Sequence, residues 1–263
     1  TGKVRAFHAA TTTAAAPAPA LGAPDSDPLR KTRELSKADK PFEAVEELER
    51  VRANGLLPPV ETLPASDQQL VADVDRARAE IFQLTSVLDD ASAWTYRSSH
   101  RKCALYASTK NPRDFKVTTV AQADLFNLVA LIYETDLYKH WVPGCTQSAR
   151  WRKSTFHQNL FLRLYAPRPM SDRTVLLRGY GDVWKGKDVM IYVSSIDSPE
   201  AEERLNVNER GAVRALVEFS GILMRPDFAK REVEITMFSR LDLKLNYVPD
   251  ALFDWVAKFV FAE

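Results

Sequence analysis

Cysteine is scarce in this 263-residue chain: Cys103 and Cys145 are the only two. That is too few for a disulfide framework and favours a reducing compartment. No Asn-x-Ser/Thr acceptor occurs, so nothing argues for secretion. Charge of one sign is missing too. The 36 Lys and Arg against 35 Asp and Glu leave a net charge of +1. Such a balance excludes a global pull towards nucleic acid or anionic membrane, and any basic site must be a local patch. Apolar runs such as "LVALI" fall far short of the roughly 18 residues a membrane span needs.

Catalytic and cofactor signatures are absent as well. "GYGDVWKGK" lacks the strand–loop–helix context of a dinucleotide fingerprint or a Walker loop and reads as two strands and a Lys-Gly turn. There is no G-x-S-x-G elbow. His100-x-x-Cys103 and the pair His140 and Cys145 lack zinc-like partner spacing. "RWRKST", from Arg150, reads as a solvated strand face. The expectation is a chain without metal, cofactor, nucleic-acid partner or catalytic chemistry.

What is present is ordinary globular material, 45% hydrophobic, 27% charged and 10% aromatic. "AATTTAAAPAPALGAP" is low-complexity and cannot bury enough surface to offset its ordering entropy. It reads as a linker or the remnant of a targeting region. A charged helix follows over 31–54, with Pro41 near its start and Gly55 as its stop. Residues 1–60 are therefore expected to form an extended arm with a short charged helix, and residues 61–263 the folded domain. Ser66 is a good N-cap for a helix that carries Leu70, Val74, Ala77, Ile81, Leu84 and Leu88 in one stripe.

From Trp94 the pattern turns to short strands, "KCALYAS" and "FKVTTV", then to a helix with Leu125, Leu128, Val129, Ile132 and Leu137 on its apolar face. A meander of about six strands follows. In "QNLFLRLYA", Leu160, Leu162 and Leu164 share one face while Phe161, Arg163 and Tyr165 share the other. Val233, Ile235 and Met237 alternate with Glu232, Glu234 and Thr236. The chain closes on "VPDALFDWVAKFVFAE", a helix whose apolar surface exceeds half its girth. The pattern predicts an α+β helix-grip fold, a curved antiparallel sheet wrapped around a long C-terminal helix. So wide an apolar face suits a helix that lines a cavity.

Between two strands stands Pro167-Arg168-Pro169-Met170-Ser171-Asp172-Arg173-Thr174-Val175. Further on come Val213-Arg214 through Gly221 to Pro226, and Asp242 through Lys244 to Pro249. Together with "LIYETDLYKHWVPGC", these motifs make the stretch from Ser66 to Glu263 resemble the START (steroidogenic acute regulatory protein-related lipid transfer) domain family. Thr174 stands where that family has Asp, and the leucines of the preceding strand leave no room for the carboxylate some cholesterol-binding members carry. The resemblance implies a tunnel for one hydrophobic lipid, a sterol, phospholipid or similar, with lipid transfer as the function and no cofactor. The implied cavity wall comprises Leu160, Leu162, Leu164, Leu176, Arg178, Val233, Ile235, Met237, Leu252, Trp255, Val256 and Phe259. The implied gate and membrane contact is the 166–173 loop, with Pro167, Arg168, Pro169, Met170 and Arg173, beside the C-terminal helix. A transient membrane surface is the implied partner. The implied location is intracellular, cytoplasmic or within an organelle after presequence removal, and peripheral to membranes. A second reading keeps the same fold as an accessory or structural subunit that binds protein partners through residues 1–60. A cyclase-like enzyme would need polar groups converging in the cavity, and the leucine-lined strand speaks against it.

Overall fold

The computed structural model describes residues 27–244 except 101, 154–157, 167–169, 185, 206 and 208–210. Three helices lead the chain: α1 (Arg30–Lys37), α2 (Pro41–Ala53) and α3 (Ala65–Asp89). Strands β1 (Trp94–His100), β2 (Cys103–Ser108) and β3 (Asp114–Ala121) follow, then α4 (Leu125–Tyr133) and α5 (Tyr138–Trp141). The meander consists of β4 (Cys145–Lys153), β5 (Gln158–Leu164), β6 (Arg173–Trp184) and β7 (Asp188–Ser195), helix α6 (Pro199–Arg204), and β8 (Val213–Arg214), β9 (Leu216–Asp227) and β10 (Glu232–Asp242). The strands form one sheet in the order β1-β2-β3-β10-β9-β7-β6-β5-β4, with β8 added in parallel to the start of β6. All other pairings are antiparallel.

Both faces of this sheet are covered by helix. On the outer face, Phe42 of α2 and Ala77, Ile81 and Leu84 of α3 bury themselves against Tyr180, Met190, Tyr192, Leu223 and Phe238. The approach is close at Gly221, where an added Cβ would lie 2.2 Å from Leu84 Cδ1. On the inner face, Leu125, Leu128, Val129 and Ile132 of α4 pack over Val189, Ile191, Met224 and Val233. The period-two side-chain alternation of a strand makes this two-sided burial possible, since each strand supplies apolar residues to both faces.

The domain boundary expected at residue 60 does not mark a break in packing. Leu29, Ala44 and Leu48 share a core with Val71 and Val74 of α3, and Phe42 reaches the sheet. Helices α1 and α2 thus pack as part of the folded unit. Helix α3 starts at Ala65 with Pro64 at the cap, so Ser66 lies inside the helix and makes no cap bond. The single helix expected between strands is broken: α4 ends at Tyr133, a turn at Thr135–Leu137 intervenes, and α5 resumes. Leu137, expected on the apolar face, is exposed.

Glu47 of α2 is 4% exposed and accepts from Arg50 Nε at 3.0 Å, with Lys31 Nζ at 3.3 Å. The Arg50 guanidinium, aided by Lys31, holds this carboxyl below its ordinary value of 4.5. A depressed carboxylate stabilises the fold above its unfolded pKa, and that contribution is lost as pH falls through the folded value. Urea midpoints should therefore drop as acidity increases below about pH 4.5, and Glu47→Gln should flatten part of that decline. An unchanged slope in the variant would show that the pair contributes nothing.

Candidate functional site: an apolar face beneath two short helices

The register of β5 against β6 decides which side chains face inward. Leu160 pairs with Leu177, Leu162 with Val175 and Leu164 with Arg173. These leucines join Cys145, Ala215 and Val217 in one buried cluster, bordered by Tyr138, Val142, Leu241 and Leu243. Across the sheet, Ile235 pairs with Met224 and Met237 with Ile222. Ile222 in turn pairs with Ile191 of β7, so Val233, Ile235 and Met237 share the inner face with the leucines of β5. The six residues expected there from β5 and β10 are brought together.

Leu176 and Arg178 are not. Leu176 pairs with Phe161 and Arg178 with Asn159, which turns both to the outer face. Leu176 packs with Phe161, Ala201 and Val207. Arg178 forms an ion pair with Glu80 of α3 and donates from Nε to Ser194 Oγ at 3.1 Å. These two residues are removed from the cavity wall because neighbours along a strand point to opposite faces. Leu252, Trp255, Val256 and Phe259 lie outside the described residues, as do Pro167, Arg168 and Pro169 of the loop.

Of the two described members of the loop, Arg173 departs from expectation. Met170 is half-buried. Arg173 is 8% exposed; its Nε donates to the Leu243 carbonyl at 2.9 Å, and its Nη1 donates to the Ser171 carbonyl. A guanidinium so engaged is a tie between the loop and the end of β10, not a membrane contact. Arg214 donates to the Ile196 carbonyl and pairs with Glu202 of α6. Sequence reading missed Arg163, a buried cation on the outer face whose Nε meets Asp172 Oδ2 at 3.0 Å. Asp172 also accepts from the Ala166 amide at 3.4 Å, which closes the base of the loop. The signal was there: Arg163 is the one charge inside an otherwise apolar strand core.

Between the inner face and the helices lies a cleft of about 80 Å³. Its roof is Ile132, Tyr133, Thr135 and Tyr138, and its floor includes Leu160, Gly179, Gly181, Ile191 and Val193. The floor is low because a Cβ at Gly181 would sit 2.6 Å from Ile191 Cγ1. Tyr138 Oη donates to the Ile132 carbonyl, and burial pushes its phenol up to about 12. Burial also raises the Cys145 thiol. Ligand pockets commonly run to about 300–1,000 Å³, so this cleft is smaller than a whole-ligand site. A second hollow of about 410 Å³ adjoins the start of α4, between Leu125, Phe126 and Val129 on one side and Pro226, Phe228 and Val233 on the other. Among the described residues, no three of His, Cys, Asp and Glu come together as metal ligands would, and no helix is long and apolar enough to cross a membrane.

No family model matches this chain, and no curated protein is similar to it in sequence. Solved structures are similar in fold. Human StAR-related lipid transfer protein 5 superposes with a TM-score of 0.61 at 15% identity, covering 74% of this chain and 94% of that one. Human STARD10 gives 0.57 at 16% identity, over 68% of this chain and 72% of that one. The human StarD13 (DLC2) lipid transfer and protein localization domain gives 0.51 at 19% identity, over 66% of this chain and 89% of that one.

Proposed function

We propose that this chain, which has the α+β helix-grip fold of START domains, binds one hydrophobic lipid against its inner face and carries it between membranes without chemistry. The observation that carries the reading is the continuous apolar inner wall, from Leu160 and Leu162 through Ile191 and Val193 to Ile235, roofed by two short helices instead of packed against another sheet. Lipid transfer in the names of the similar structures supports it.

Burying a sixteen-carbon acyl chain from water is worth about 0.8 kcal/mol per methylene, or roughly 12 kcal/mol. A lipid leaving a bilayer gains none of this, because its tails are already dry. The wall has only to match the bilayer, and shape and polar contacts then set selectivity. Release and uptake require part of the enclosure to move. We place that movement in the 166–173 loop and the C-terminal segment, with the membrane surface as a transient partner and an intracellular site of action. The loop stem is held by Arg163, Asp172 and Arg173.

Native mass spectrometry of the purified protein, followed by lipid extraction, tests the proposal. A stoichiometric co-purifying lipid is the expected result. A protein that is reproducibly empty and takes up none of a broad lipid panel would refute it.

A further inference from the structure

The small cleft under α4 and α5 carries one feature that packing does not explain. Thr135 lines it and is 3% exposed, yet its Oγ1 has no hydrogen-bond partner. A buried polar atom left unpaired costs stability, and each such atom in a native fold calls for an explanation. Nothing local supplies one. The hydroxyl does not bond back to the preceding turn, as Thr85 does to the Ile81 carbonyl at 3.0 Å. Beside it stand Tyr138, whose hydroxyl proton is committed to the Ile132 carbonyl but whose oxygen can still accept, and Gln158.

The charges around this cleft point the same way. Among the described residues, neither lysine nor arginine lines it, and the one ionisable carboxyl on its rim is Asp39. Arg178 and Arg163 belong to the outer face, Arg173 is held by two backbone carbonyls, and Arg150, opposite Leu160, donates from Nη2 to the Tyr133 carbonyl at 3.1 Å. Among the described lining residues an anionic head group would meet no lysine or arginine. A hydroxyl or ester carbonyl would meet a hydroxyl without a partner, a phenolic oxygen and an amide.

We infer that the cleft receives the polar end of an uncharged, hydroxyl- or carbonyl-bearing lipid, and that Thr135 Oγ1 makes the hydrogen bond that selects it. This rests on the lipid-binding reading above and narrows it to neutral lipids. Leu160, Ile191 and Val193 hold the apolar part next to that end.

The test uses the whole chain with 1,2-dioleoylglycerol, cholesterol and dioleoyl phosphatidic acid, each presented in phosphatidylcholine vesicles, and measures which lipid the protein extracts. Dioleoylglycerol or cholesterol should be taken in preference to phosphatidic acid and phosphatidylcholine. Thr135→Val removes the hydroxyl at nearly constant shape. It should raise the melting temperature of the lipid-free protein by a few degrees, since it deletes an unpaired buried group. The same change should weaken extraction of the neutral lipid about five- to tenfold, the worth of one hydrogen bond, and Thr135→Ser should restore it. A purely structural threonine would move stability and binding together. Preferential extraction of phosphatidic acid or phosphatidylcholine, or undiminished uptake by Thr135→Val, would overturn the inference and leave lipid binding intact. Failure to extract any of the four would overturn both.

Discussion

Leu162→Arg should abolish lipid uptake, and Leu164→Arg should do so with a smaller cost to folding. Leu162 is 9% exposed within the inner-face cluster, opposite Val175 and beside Leu177 and Val217. A guanidinium there has no carboxylate partner among those neighbours. An unpaired charge in apolar surroundings costs several kcal/mol. The wall would either bend to hydrate it or fail to close around a lipid tail. Leu164 lies on the same face but is half-buried, so its replacement can turn the charge towards solvent and keep the fold. Circular dichroism would establish that each variant is folded, and vesicle extraction would measure uptake. Undiminished uptake by folded Leu164→Arg and Leu162→Arg would mean that this face does not touch the lipid.

Arg178→Met should destabilise the protein by about 3 kcal/mol, the cost of removing the guanidinium from a buried ion pair. Glu80 is 6% exposed beneath α3, and Arg178 closes the pair from the outer face of β6. Their surroundings are aromatic. Tyr180 donates to the Ala77 carbonyl at 3.3 Å, and burial drives its phenol well above the usual range. Burial likewise pushes Tyr192 up to about 12. At roughly 2–4 °C per kcal/mol for a domain of this size, the melting temperature should fall by about 6–12 °C. The double variant Glu80→Leu with Arg178→Met should recover most of the loss, because a buried pair can be exchanged for apolar groups where half a pair cannot. Lipid affinity should stay constant throughout, since the pair is separated from the inner face by the sheet. A binding defect in the folded double variant would return Arg178 to the cavity wall.

That pair also shows where sequence reading stops. In β10 the alternation of Val233, Ile235 and Met237 with Glu232, Glu234 and Thr236 assigns the faces unaided, because one face is charged. In β6, Val175-Leu176-Leu177 is apolar on both faces, so periodicity fixes neighbours and not orientation. Orientation follows only from the pairing of Leu162 with Val175, a long-range fact absent from local pattern. Charge patterning likewise separates Arg173 from its role, since a loop arginine looks solvated until the Leu243 carbonyl is brought to it from 70 residues away. The helical stripe of α3 was legible apart from Val71, because a helix carries its own register. The place of α2 was not, since its buried face is defined by what Phe42 meets on the sheet and Leu48 meets on α3 rather than by a strong internal segregation.

The stem of the 166–173 loop has a mechanical consequence. Arg163 grips Asp172 from one side of the sheet while Arg173 grips the Leu243 backbone from the other. Two anchors on adjacent residues tie β5 and the end of β10 to one point at the start of β6, so a load placed on the base of the loop is shared with the strand from which the final segment departs.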